Sequence, residues 1–101
     1  MSETIRRGVL TEAANLIDGD RNAQYGPPTQ DFERTGAIWS AMFGHKMTAP
    51  FTPADVAKAM IGLKLSRLAW QEDKRDSWVD VAGYAGCGFE CVESAREPSE
   101  Q

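Results

Sequence analysis

Apolar residues recur at three- and four-residue steps in four separate stretches of the chain, the period of helices with one buried face. Over residues 4–17, Ile5, Val9, Ala13, Leu16 and Ile17 make one stripe, and Asp18-Gly19 ends it. A second stripe, Phe32, Gly36, Trp39 and Phe43 with Met42 beside it, predicts a helix capped by Thr29 and stopped by Gly44. Thr52-Pro53-Ala54-Asp55 reads as a helix start, with Thr52 as N-cap, Pro53 at the first helical position and Asp55 as the acid of a capping box. That third helix runs to about Trp70, with Val56, Ala57, Met60 and Leu63 on its best apolar face. Ser77-Trp78-Val79-Asp80 also has capping-box form and predicts a last helix from Trp78 to about Ser94. Trp78, Ala82, Ala85, Phe89 and Val92 form its apolar stripe, beside a mixed line of Asp80, Tyr84, Cys87 and Cys91. No run shows the period-two alternation of a strand. The expectation is an all-α protein, a compact four-helix bundle in one domain over residues 1–101, with an ordered core at 4–94 and a polar tail at 95–101.

Between the first two helices lies Gly19-Asp20-Arg21-Asn22-Ala23-Gln24-Tyr25-Gly26-Pro27-Pro28, which reads as a loop because it is polar and interrupted by Gly and Pro. It holds more donors than a simple turn requires, and polar loops on rigid elements are common places for ligand contacts. The plainer account has Arg21 capping a helix end and Tyr25 filling the edge of the core. On the third helix, Lys64 and Arg67 project from the apolar face. Unpaired buried charge is costly, so these cations pair with acids of another helix, hold an anion, or reach to the domain edge. Gly83, Gly86 and Gly88 are poor helix formers and suggest close helix–helix approach, within the domain or across a symmetric homo-oligomer interface on this Gly-rich last helix.

Composition narrows the functions available. Fifteen acidic against eleven basic residues leave a net charge of −4, which argues against duplex DNA or acidic membranes as partners. No apolar run approaches the roughly 20 residues that span a bilayer. No apolar segment follows Arg6 and Arg7 as in a secretory signal, so a cytoplasmic location is expected. Cys87 and Cys91, four apart on one helix, have poor geometry for a disulfide, and with His45 as the single histidine a zinc site would need carboxylates or a second subunit. They read best as small buried apolar residues.

Taken together, Arg21, Lys64 and Arg67 are suited to phosphates, Tyr25 or a Trp to stacking on a base, and Asp76 with Asp80 to a hard cation such as magnesium. The plainer account pairs Lys64 or Arg67 with Asp80 across the third and fourth helices. The run Asp20-Arg21-Asn22-Ala23-Gln24-Tyr25-Gly26-x-Pro28, followed by Phe32 and Ile38-Trp39-Ser40, resembles a small family of phage-borne domains. So do Lys64-Leu65-Ser66-Arg67-Leu68 and Arg75-Asp76-Ser77-Trp78-Val79-Asp80-Val81-Ala82-Gly83-Tyr84-Ala85, and the likeness covers roughly residues 8–92. Such domains are often labelled MazG-like and are similar to phage nucleotide-modification-associated domains. The resemblance implies an all-α fold and dealings with nucleotides, in a phage-infected or lysogenic bacterial cell. The residues expected to contact a ligand are Arg21, Asn22, Tyr25, Gly26, Lys64, Arg67 and Tyr84, with Asp76 and Asp80 as metal holders.

MazG-type pyrophosphohydrolases carry a Glu-Glu-x-x-Glu helix and a Glu-x-x-Asp helix for magnesium. Here the first helix has only Glu12, and Asp76 and Asp80 are four apart rather than three. The expectation is therefore a protein that sequesters a phosphorylated or cyclic nucleotide, such as a host-defence signal. The alternatives are magnesium-dependent hydrolysis of a nucleoside triphosphate and a structural or protein-binding accessory.

Overall fold

A computed structural model describes residues 4–96, with the side chains of Asp20, Arg21 and Asn22 outside the description. Its first helix, α1 (Ile5–Asp18), opens on Thr4, whose hydroxyl accepts the Arg7 N–H at 3.1 Å, and closes at Gly19. The expected loop is partly helical: Asp20–Tyr25 forms a short helix, α2. The helix breakers lie only at its borders, Gly19 before it and Gly26-Pro27-Pro28 after it, so nothing among the six residues opposes helical backbone. Gly26 ends α2 with a φ of 85°, in the left-handed region that glycine alone enters freely.

Helix α3 (Pro28–Phe43) starts one residue before the expected cap. Pro27 occupies the cap position and Pro28 the first turn, where a missing N–H costs nothing; Thr29 is already helical. Arg34 holds α2 to α3, donating to the Tyr25 carbonyl at 2.9 Å while lying 3.5 Å from Asp31. Gly44, at φ −58°, continues into a single 3-10 turn, Gly44–Lys46.

Helix α4 (Pro53–Trp70) has the expected limits and a complete capping box. Asp55 N–H donates to the Thr52 hydroxyl at 3.1 Å and Thr52 N–H to the Asp55 carboxylate at 3.0 Å. The backbone hydrogen bond from Thr52, helped by Lys58, holds the Asp55 carboxyl below its ordinary range. Thr52→Ala is expected to cost about 1 kcal/mol, read as a lower urea midpoint. Because the folded-state pKa of Asp55 is depressed, its contribution is present at neutral pH and fades as the pH falls through about 4 and below. The stability difference between wild type and Asp55→Asn should shrink over that interval in urea titrations.

Helix α5 (Arg75–Arg96) starts before the expected Trp78, and Ser77 is buried in its first turn rather than capping it. It buries the two cysteines, as expected, but not the apolar stripe expected beside them. Cys87 and Cys91 are buried, Tyr84 packs against the same cluster, and the stripe expected to be core lies outside. Trp78 is 50% exposed, Phe89 63% and Val92 38%. Small residues explain the choice: a Cβ on Gly88 would stand 2.9 Å from the Cβ of Ala57, so the Gly88 side lets α4 approach as no larger residue could. Phe32, Val56, Ala57, Cys87 and Cys91 form the core, with Ile17, Trp39, Met60 and Tyr84 packed around it. Neither cysteine is in a disulfide, and burial pushes the Cys91 thiol up, with Cys87 adding to the effect.

The four long helices do not share this core equally. Among the described residues, helix α5 packs on α4, α3 and α1, whereas α1 meets only α5 and α2. Ile5, Leu10 and Leu16 remain exposed on α1, and only its Ala13 is fully buried. No strand occurs among the described residues.

Candidate functional site

Helices α4 and α5 run antiparallel, joined by the short connector 71–74, so the last turns of one lie beside the first turns of the other. Lys64, on the inner face of α4, reaches across this junction to Asp80, Nζ to Oδ2 2.8 Å. Their side chains are 14% and 33% exposed, intermediate between a solvated pair and a buried one. The expected pairing across the third and fourth helices is therefore made, by Lys64. Arg67, one turn on, is exposed and has no ion-pair partner among the described residues.

A groove of about 480 Å³ opens at this junction, lined by Lys64, Arg67, Trp70, Lys74, Asp76 and Asp80 among others. Three cations and two acids give it a formal charge of +1 (3 − 2), on a chain whose net charge is −4. Behind Asp80 lies a second cavity of about 350 Å³ between α1, α2 and α5. Leu16 and Ile17 give it an apolar wall, Gln24 an amide, and Tyr25 and Tyr84 two aromatic rings. The Tyr84 ring also leans on Phe32, 6.1 Å between centroids.

Asp80 lines both spaces, whereas Tyr25 and Tyr84 line only the second and Lys64, Arg67 and Asp76 only the groove. The expected ligand residues thus fall into two neighbouring sets separated by one carboxylate. Gly26 serves as the turn that ends α2. The Arg21 and Asn22 side chains lie outside the described residues. Glu12, the single acid expected in the first helix, accepts from Arg75 Nε at 2.9 Å and ties α1 to the start of α5.

Asp76 and Asp80 share the groove with three cations, and no group of three or more His, Cys, Asp and Glu side chains converges among the described residues. Lys74 and Trp70 were not legible as site residues. Lys74 sits in a charged connector and Trp70, 92% exposed, at a helix end, where periodicity has nothing to report.

These features define a small all-α domain with a locally cationic groove beside an aromatic-walled cavity. The chain belongs to the family described as Domain of unknown function (DUF6378), which it matches over residues 8–92. It is 41% identical over 78 residues to the Gene 55 protein of Mycobacterium phage L5, covering 77% of this chain and 48% of that protein. With the Gene 55 protein of Mycobacterium phage D29 it shares 39% identity over 87 residues, 86% of this chain and 52% of the relative. The chain spans about half the length of these phage relatives. No solved structure matches it. Among the described residues, no helix is long and apolar enough to cross a membrane.

Proposed function

We propose that this is a phage nucleotide-binding protein that holds a phosphorylated or cyclic nucleotide without cutting it. The observation that carries the proposal is the adjacency of two chemically different spaces. One has Lys64, Arg67 and Lys74 along its wall, and the other has Tyr25 and Tyr84. Guanidinium and ammonium groups suit phosphate oxygens, and tyrosine rings suit the face of a base. Asp80 stands between them, able to accept from a base amino group or ribose hydroxyl while holding Lys64 in place. The resemblance of the Asp20–Pro28 and Arg75–Ala85 runs to MazG-like and nucleotide-modification-associated phage domains points to the same ligand class. Holding is favoured over hydrolysis because Glu12 is engaged with Arg75 and the groove's acids are outnumbered by cations.

One observation favours a second reading. The Lys64–Asp80 pair, at 2.8 Å and partly buried, accounts for both residues as a structural tie between α4 and α5, as in an accessory protein without a ligand. Arg67 separates the two readings, since it is exposed and ties nothing. The test is calorimetric titration with a panel of nucleoside triphosphates and cyclic dinucleotides, with and without magnesium, against wild type and Arg67→Glu. Binding by wild type, weakened at least about tenfold in Arg67→Glu with unchanged helix content, supports the proposal. Heat denaturation should then release the ligand intact. Recovery of pyrophosphate and monophosphate would instead establish hydrolysis, and a panel with no binder would leave the structural reading.

A further inference from the structure

Helix α5 carries a second apolar face that the fold leaves uncovered. Trp78, Ala82, Ala85, Phe89 and Val92 are spaced four, three, four and three, the alternation of a helix–helix seam. The stripe is about 21 Å long at ~1.5 Å per residue. We propose that this face is the contact by which a second copy of the chain docks, antiparallel, through α5. The proposal is independent of any ligand, because the groove and cavity residues Asp76, Asp80, Gly83 and Cys87 lie on the opposite side of the helix at ~100° per residue.

Three features select a second copy as the occupant. The first is the order of side-chain sizes: bulky Trp78 and Phe89 flank small Ala82 and Ala85. With the two-fold axis between the alanines, alanine meets alanine, the helices approach closely, and Trp78 of one copy lies beside Phe89 of the other at both ends. Antiparallel helices also place opposite dipole ends together.

The second is charge. The same alignment sets Arg75 of one copy level with Val92 of the other and within one residue of Glu93, so opposite charges lie near each other at each end of the seam. Arg75, paired with Glu12, is 51% exposed and Glu93, paired with Arg96, is 44% exposed, so each keeps surface outside its own ion pair.

The third is area. The antiparallel register set by Lys64 with Asp80 and Ala57 against Gly88 puts Leu65 on the same side of the α4/α5 pair as the stripe. Trp78, Phe89, Val92 and Leu65, exposed by 50%, 63%, 38% and 53%, offer roughly 400 Å² of apolar side chain per copy. Two copies therefore supply roughly 800 Å². An interface of about 1,200 Å², the lower end for a specific dimer, needs roughly 720 Å² of apolar area at ~60%. The stripe meets that requirement with little to spare, so the dimer should dissociate on dilution.

Sedimentation equilibrium of the full chain from about 1 to about 200 µM tests the proposal. Wild type should pass from monomer to dimer mass across this range, while Phe89→Glu stays monomeric throughout with the same helix content. Phe89 projects into solvent, so its replacement spares the core. Ala85→Cys, placed near the two-fold axis, should give a covalent dimer under mild oxidation. A wild type that remains monomeric at the highest concentration, or a Phe89→Glu protein that dimerises like wild type, overturns the proposal.

Discussion

Phe32→Ala is expected to lower stability by about 3–5 kcal/mol, enough to leave the variant largely unfolded at moderate temperature. Phe32 is 3% exposed at the centre of the core cluster. It is the one large aromatic buried there, and it joins α3 to Val56 and Ala57 of α4 and to Tyr84 of α5. Removing the ring leaves a cavity that small neighbours such as Ala57, Cys87 and Cys91 are poorly placed to fill. At about 4–8 °C per kcal/mol for a domain of this size, the fall in melting temperature should exceed about 12 °C. Phe43→Ala provides the control, on the same helix and with the same chemistry. Its ring is 46% exposed, so the expected cost is below about 1 kcal/mol. Equal losses for the two variants in thermal melts would show that the core does not centre on Phe32.

Glycines on the last two helices should respond in opposite directions to added side chains. Gly88→Leu is expected to destabilise by at least about 3 kcal/mol, the upper part of the overpacking range. Its Cβ alone would stand 2.9 Å from the Ala57 Cβ, and the remaining carbons would have to separate α4 from α5. That separation would also pull Lys64 away from Asp80 and open the groove. Gly62→Ala, in the middle of α4 with nothing within 4 Å of the added carbon, should instead stabilise by about 0.5–1 kcal/mol through helix propensity. Opposite signs in urea unfolding would confirm the assigned packing of α4 on α5. A gain in both variants would refute it.

If the proposed ligand binds, it must deal with the ion pair already in the groove. A phosphate approaching Lys64 competes with Asp80 for the same ammonium group, whereas Arg67 and Lys74 offer charge that Asp80 does not claim. Affinity is then expected to depend more on Arg67 than on Lys64. The polar stretch between the first two expected helices is not the loop its composition suggested. It is a short helix packed between α1 and α3, and its Tyr25 walls the cavity behind Asp80.

Much of this molecule follows from local chemistry. Thr52, Pro53 and Asp55 start α4 wherever the helix is placed, because the capping box is made within four residues. Gly19 and Gly26-Pro27-Pro28 interrupt the helices for equally local reasons. The position of Lys64 on the inner face of α4 was also legible, since helical angle follows from residue number, and the cost of burying an ammonium implied a partner.

The sequence could not say which face of α5 goes inside. Trp78, Phe89 and Val92 are more hydrophobic than the Tyr84, Cys87 and Cys91 line, and periodicity favours the larger residues. The fold buries the smaller line because α4 and α1 can approach closely there: Ala57 lies against Gly88, and Ile17 lies near Gly83 and Gly86. Close packing of two backbones depends on residues far apart in the chain, so no local pattern records it. The same holds for the groove, where Lys74 and Trp70 join Lys64 and Asp80 only because α5 folds back along α4. The capping box of α4, the breaks at Gly19 and Gly26-Pro27-Pro28 and the inward lysine were therefore set by neighbouring residues, while the buried face of α5, the composition of the groove and the exposure of the Trp78–Val92 stripe were decided by how the helices meet.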